Sequence, residues 1–65
     1  MKLIINGEEQ QIEAGTLSAL LTALDYEGDW LATALNGDLV PRAERAQTAL
    51  NDGDRIEILA PKQGG

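Results

Sequence analysis

The same local pattern occurs twice in this 65-residue chain: an aliphatic segment, an Asn-Gly pair, and a short segment that can return beside the first. Asn-Gly between such segments is the strongest short-range signal for a β-hairpin, because both central residues of the tight turn need a positive φ. One copy centres on Asn6-Gly7 and the other on Asn36-Gly37. The pattern therefore predicts two hairpins and a fold built around a sheet.

The strands follow from the residues on either side of each turn. Residues 1–6 are predicted to pair with residues 9–13, with Leu3, Ile5 and Ile12 on the core face. Residues 31–35 are predicted to pair with residues 38–40, and Pro41 makes this last strand a short or edge strand because proline cannot donate to a ladder. A fifth segment, residues 55–59, follows a turn at residues 51–54 and alternates so that Ile56 and Ile58 point inward.

One amphipathic helix is predicted between the hairpins. Thr16 can accept hydrogen bonds from the free N–H groups of a helix start. Leucines then follow at helical spacing and form one apolar stripe: Leu17, Leu20, Leu21 and Leu24. Residues 42–49 have only a weak apolar stripe, so we expect an irregular or single-turn connection there. Tyr26 and Trp30 flank the helix exit, and we expect both to pack at the edge of the core. Contact with a partner is the alternative, since both residue types are enriched at interfaces.

The order strand, strand, helix, strand, strand, strand within residues 1–60 predicts an α+β domain. Its mixed sheet of four to five strands has one main helix packed on one face, which is the β-grasp arrangement. With the first and last strands adjacent and parallel at the centre, Ile4 and Leu59 lie on the face opposite the helix. An apolar patch on an otherwise acidic domain is a candidate docking face for a partner.

Composition excludes most kinds of active site. The chain has no cysteine and no histidine, so a zinc–thiolate site, a thiol nucleophile and an imidazole base are ruled out. Eleven acidic residues against five basic ones give a formal charge of −6, which argues against nucleic acid and anionic membranes as partners. The acidic turn at residues 51–54 lacks the pattern of a calcium loop, so no metal site is predicted. No signal peptide or membrane span is recognisable, and we expect a cytoplasmic protein.

The last five residues, 61–65, are predicted to form a flexible tail outside the domain. Pro61 cannot continue a ladder, and Gly64 and Gly65 have no side chain to pack. At full extension such a tail reaches about 17 Å, and it fits a narrow channel in a partner. A carboxylate at its end is a poor electrophile, so acyl chemistry there requires activation, for example by ATP. Because the chain has no phosphate-binding loop, the ATP site is expected to belong to a partner.

These residues together resemble the ThiS family of sulfur-carrier proteins in thiamin biosynthesis. The resemblance covers essentially the whole chain and rests on the opening strand with Asn6-Gly7, on Ala14-Gly15-Thr16, on residues 34–42 (ALNGDLVPR), on residues 50–58 (LNDGDRIEI), and on the Gly64-Gly65 end.

The resemblance implies a ubiquitin-like β-grasp protein that is a co-substrate and not an enzyme. It implies that Gly65 is adenylated by a ThiF-type, E1-like enzyme that uses ATP and magnesium, while this chain itself binds no cofactor. The adenylate would become a thiocarboxylate with sulfur from a cysteine-derived persulfide, and thiazole synthase would accept that sulfur. Gly64 and Gly65 would be the residues that enter the partner's active site.

Other functions share parts of this pattern. The small subunit of molybdopterin synthase has a similar fold and also ends in Gly-Gly, and a sulfur carrier of another pathway would use the same tail chemistry. From different classes come a ubiquitin-like interaction module whose tail is never activated, and a modifier attached through Gly65 to lysines. The enzyme that receives the tail distinguishes these functions.

Overall fold

The computed structural model describes residues 1–26 and 30–60. In chain order the elements are β1 (Lys2–Ile5), β2 (Glu8–Gln11), α1 (Leu17–Ala23), β3 (Ala32–Leu35), β4 (Asp38–Val40), a 3₁₀ helix (Arg42–Gln47) and β5 (Arg55–Leu59). The strands form one mixed sheet in the order β2-β1-β5-β3-β4. β1 runs parallel to β5, and the other neighbours are antiparallel. The predicted α+β β-grasp fold, with parallel first and last strands at its centre, is confirmed.

Both Asn-Gly pairs form the predicted hairpin turns. Asn6 and Gly7 have φ values of 51° and 84°, and Asn36 and Gly37 have 50° and 91°. These left-handed conformations at both central positions match the twist of the flanking strands. The first turn sets Ile5 opposite Glu8, and the second sets Leu35 opposite Asp38.

The second strand differs from the prediction in its position. It covers Glu8–Gln11 instead of residues 9–13, so Ile12 lies beyond the ladder and Gln10 is the residue opposite Leu3. Ile12 still packs against the core, half-buried, and its N–H donates to the carbonyl oxygen of Met1 at 3.0 Å. The shift arises because the two-residue turn fixes the register, which begins the strand directly after Gly7.

The helix begins and packs as its sequence predicts. Thr16 Oγ1 accepts a hydrogen bond from the N–H of Ala19 at 3.1 Å, which caps the helix. Isolated helices of seven residues are unstable in water, so α1 depends on the apolar stripe that it buries against the sheet. The buried core consists of Leu3, Ile5, Ala14, Leu17, Leu20, Leu21, Val40, Leu50, Ile56 and Ile58, with Leu24 and Tyr26 partly buried against it.

The connection after β4 is a 3₁₀ helix, and it contains a buried charge that the sequence pattern did not reveal. Arg45 is only 7% exposed. Its Nε–H donates to Thr33 Oγ1 at 3.1 Å and its Nη2–H donates to the carbonyl oxygen of Leu31 at 2.7 Å. The Thr33 hydroxyl in turn donates to the carbonyl oxygen of Val40 at 2.9 Å. This polar cluster fixes the 3₁₀ helix to β3 and β4.

Candidate functional site

The residue singled out for chemistry, Gly65, lies outside the described residues, as does Gly64. What the structure shows is the base from which the tail begins, namely the end of β5 and Ala60. On one edge, β5 pairs with β3, with Thr33 opposite Ile58 and Ala32 opposite Leu59. On the other edge, the register with β1 covers only two residues of β5, Arg55 and Ile56.

A side chain continues the ladder where β1 stops. Asn6 first uses its backbone, whose N–H donates to the carbonyl oxygen of Ile56 at 2.9 Å. Its side-chain Nδ2–H then donates to the carbonyl oxygen of Ile58 at 3.2 Å, and Oδ1 accepts from the N–H of Ile58 at 2.8 Å. The amide of Asn6 thus acts as one further rung beside Ile58, which lies seven residues before Gly65 in the sequence.

The asparagine of the second hairpin also uses its side-chain amide, at the opposite end of β5, where it contacts one backbone N–H and one carboxylate. Asn36 Oδ1 accepts from the N–H of Arg55 at 2.9 Å, and Nδ2–H donates to Asp54 Oδ1 at 3.0 Å. Sequence reasoning assigned Asn6 and Asn36 only to turns. One signal could have indicated their contacts with β5: the same dipeptide occurs twice in a fold whose last strand lies between the two hairpins.

The sheet face opposite the helix contains both residues of the predicted docking face, but in separate grooves. Leu59 is 73% exposed and lines a groove of about 100 Å³ together with Leu39, which is also 73% exposed. Ile4 is half-buried and lines a different groove of about 170 Å³, beside Arg55. Ile4 pairs with Arg55, and Leu59 lies four residues further along β5, or about 13 Å at the usual rise of a strand. Sequence reasoning missed Leu39, because a lone leucine in a three-residue strand shows no periodicity.

Glu57 connects the two grooves, since it lines both of them. In the parts of the chain that the structure describes, neither the Glu57 carboxylate nor the Arg55 guanidinium takes part in a salt bridge. The face therefore offers apolar side chains next to charges of both signs. Such a surface suits a partner that supplies apolar groups at the centre and complementary charges around them.

The prediction that Trp30 packs at the edge of the core is wrong, since its side chain is 76% exposed. It precedes β3 by two residues, and Ala32 in β3 pairs with Leu59. Trp30 therefore lies at the end of the sheet where β5 finishes. Tyr26 is half-buried against the core, as predicted.

Within residues 1–26 and 30–60, no group of three His, Cys, Asp or Glu side chains is arranged to hold a metal ion. None of the helices in that part of the chain has the length and apolar character that crossing a membrane requires.

Comparisons with known proteins give one consistent result. The ThiS family model matches residues 3–65. The Escherichia coli sulfur carrier protein ThiS is 36% identical over 66 residues, with all of both chains covered. A protein of Paramagnetospirillum magneticum named thiazole synthase is 46% identical over 66 residues; this chain is covered completely but spans only 20% of that protein. The crystal structure of a thiamine biosynthesis protein (ThiS) from Geobacter metallireducens superposes with a TM-score of 0.84 at 29% identity, again over all of both chains.

Proposed function

The chain belongs to the ThiS family of sulfur carriers, and from this membership we propose that it delivers the sulfur atom for thiazole formation in thiamin biosynthesis. The observation that carries the proposal is the end-to-end match to the Escherichia coli sulfur carrier, 36% identical with no part of either chain left over. The superposition on the Geobacter metallireducens structure supports it, because it also covers both chains completely.

In this proposal the reacting group is the carboxylate of Gly65, and the family match extends to that residue. A carboxylate resists nucleophilic attack, so a ThiF-type enzyme first adenylates it with ATP and magnesium bound to that enzyme. Adenylation releases pyrophosphate, and the outer sulfur of a cysteine-derived persulfide then attacks the acyl carbon and displaces AMP. A second thiol reduces the resulting acyl disulfide, which releases the thiocarboxylate and leaves a disulfide between the two thiols. Gly64 and Gly65 enter the partner's active site because they have no side chains to obstruct a narrow channel. The chain is a co-substrate here and binds no cofactor of its own.

Thiazole synthase is the proposed acceptor of the sulfur. The supporting observation is that a segment 46% identical to this chain forms part of a protein that is itself named thiazole synthase. The presence of a carrier-like segment within a protein of that name favours a functional connection between the carrier and thiazole synthase. A cytoplasmic location is part of the same proposal.

The sheet face opposite the helix is the proposed docking surface for the adenylating enzyme. Leu59 is the key residue, since it is 73% exposed and lies only six positions before Gly65. An enzyme that encloses the tail necessarily approaches the end of β5, where burying Leu59 and Leu39 removes apolar surface from water. Ile4 lies in the neighbouring groove and extends the surface toward β1.

The test is the intact mass of the chain after incubation with a ThiF-type enzyme, ATP, magnesium, a persulfide source and a thiol reductant. We expect a mass gain that matches replacement of one oxygen by sulfur. A variant without Gly65 is the control and is expected to remain unchanged. An unchanged mass for the wild-type chain, with an adenylating enzyme shown to be active on its own carrier, would refute the proposal.

The sulfur acceptor is tested in a second step with the thiocarboxylate form. We expect thiazole synthase to remove the sulfur and return the chain to its original mass. Transfer to the large subunit of molybdopterin synthase instead would identify this chain as that enzyme's small subunit. Higher-mass conjugates through lysine in cell extracts would identify a protein modifier.

A further inference from the structure

We propose that Asn6 is a positioning residue for the sulfur-carrier reaction, because its side chain fixes the strand from which the tail extends. This inference rests on the function proposed above and assigns a role in it to a residue 59 positions away from Gly65 in the sequence. The evidence is the pair of hydrogen bonds between the Asn6 amide and the backbone of Ile58.

The first step concerns the edge of β5 that Asn6 occupies. In a β-strand, the N–H and C=O of one residue point to the same edge. Both groups of Ile58 bind the Asn6 amide, so they point toward β1. Thr33, opposite Ile58 on the other edge, therefore forms a non-hydrogen-bonded pair with it. The Asn6 amide thus supplies the pairing of Ile58 on that side.

The second step explains why the backbone of β1 does not supply this rung. β1 ends at Ile5, and the chain reverses through the left-handed residues Asn6 and Gly7. After this turn the backbone moves toward β2 and away from β5. The amide of Asn6 is the group that remains beside Ile58. Its Oδ1 and one Nδ2–H lie on the same side of the amide, so they reach the N–H and the C=O of Ile58 together.

The third step connects the rung to the reaction. Without the Asn6 amide, the end of β5 would be paired only through β3, and Ile58 would exchange its partner for water. Ile58 lies two residues before Ala60, where the described chain ends. A change of direction at Ile58 therefore displaces the origin of the tail by up to about 7 Å, at about 3.3–3.6 Å per residue. A fixed origin reduces the number of directions the tail can sample, which favours entry into a narrow channel.

The structure provides a matched control in Asn36. Asn6→Gly and Asn36→Gly each remove two side-chain hydrogen bonds that act on β5 or the residue before it. Each variant leaves a Gly-Gly pair, which also forms this type of turn. The two variants differ in which end of β5 they release, since Asn6 acts on the tail end and Asn36 on the start.

The experiment measures thiocarboxylate formation in single turnovers with excess ThiF-type enzyme, ATP, magnesium, a persulfide source and a thiol reductant. Varying the enzyme concentration separates the maximal rate from the concentration that gives half of it. For Asn6→Gly we expect a maximal rate about fivefold lower, the factor that corresponds to one net hydrogen bond, with the half-saturating concentration unchanged. For Asn36→Gly we expect both parameters to stay as in the wild type. Circular dichroism confirms that each variant is folded at the assay temperature.

Hydrogen exchange gives the structural readout for the same variants. The amide of Ile58 is expected to exchange about fivefold faster in Asn6→Gly, and the amide of Arg55 is expected to exchange about fivefold faster in Asn36→Gly. If Asn6→Gly does not fold, Asn6→Asp serves in its place, because it keeps the acceptor for the Ile58 N–H and lacks the donor to its carbonyl.

The outcomes separate this inference from the proposed function. If the wild-type chain never gains sulfur, the carrier function itself fails. If the wild type reacts and the Asn6 variant reacts at the same maximal rate as the Asn36 variant, the positioning role of Asn6 is refuted. A loss confined to the half-saturating concentration would also refute it, because Asn6 would then act on docking of the domain and not on placement of the tail.

Discussion

Replacing Thr33 with valine tests how strongly the fold depends on one buried hydroxyl group. Thr33 lies in β3 and is 1% exposed. Its hydroxyl accepts from Arg45 Nε–H at 3.1 Å and donates to the carbonyl oxygen of Val40 at 2.9 Å. Valine has nearly the same shape, with a methyl group in place of the hydroxyl. The substitution therefore removes both hydrogen bonds without opening a cavity.

The magnitude follows from what each partner loses. A hydrogen bond from a charged donor contributes about 1.5–3 kcal/mol, and a buried carbonyl that loses a partner costs about 1–3 kcal/mol. Burying the new methyl group returns about 0.8 kcal/mol. Taking the lower values, we expect Thr33→Val to lower the free energy of unfolding by about 2 kcal/mol. For a domain of this size, that corresponds to a Tm lower by about 8–16 °C.

The assay is urea unfolding followed by far-ultraviolet circular dichroism. We expect a lower midpoint with an unchanged slope, because the surface exposed on unfolding stays the same. Thr33→Ser keeps the hydroxyl and loses a methyl group, so it should lose only about 1 kcal/mol. Thr22→Val, on the exposed side of α1, should change stability by less than about 0.5 kcal/mol. If Thr33→Val is as stable as Thr33→Ser or more so, desolvation of the polar groups outweighs their hydrogen bonds, and the reasoning is wrong.

Three further substitutions test other parts of the structure. Gly37→Ala should lower the unfolding free energy by about 1–2 kcal/mol, because φ at this position is 91°. Gly15→Ala is the control and should not lower it, because the added methyl group meets open space and φ is not positive there. Equal effects of the two substitutions in thermal melts would contradict the argument. Thr16→Ala should lose about 1 kcal/mol with the helix cap, and Thr16→Ser should retain it. Leu59→Glu should weaken binding to the ThiF-type enzyme about tenfold in calorimetry, since it places a charge in the apolar groove. Ala23→Glu on the helix adds the same charge elsewhere and should leave binding unchanged. Equal weakening by both substitutions would attribute the effect to net charge.

Features that depend on neighbours in the sequence were predictable. The Asn-Gly pairs encode the hairpins because only a few residues adopt positive φ easily. Thr16 and the leucine stripe encode the helix because capping and 3.6-residue periodicity are properties of one segment. The order of the elements then predicted the parallel pairing of β1 with β5, and the structure confirms it.

The side-chain contacts and the exact register between distant segments were not predictable. Arg45 lies in a segment with a weak apolar stripe, and its burial depends on acceptors from β3, at Thr33, and from Leu31 just before that strand. Trp30 is predicted at the edge of the core from its residue type, yet the fold leaves it exposed. The separation of Ile4 from Leu59 follows from the register between β1 and β5, which alternation along one strand does not specify.

The Asn6 amide also explains how so short a first strand can support the strand that leads to the tail. A longer β1 would supply the rung at Ile58 from its own backbone, but the hairpin register would then require β2 to lengthen as well. The chain would be left with a longer edge strand at β2, which favours unwanted pairing with other chains. One asparagine at the turn avoids this, because the conformation that reverses the chain also points its amide at β5. Asparagine therefore meets two requirements, since it adopts the turn conformation and its amide can pair with Ile58. Glycine meets only the first, so Asn6→Gly is expected to preserve the hairpin and to lower the rate at which the tail reacts.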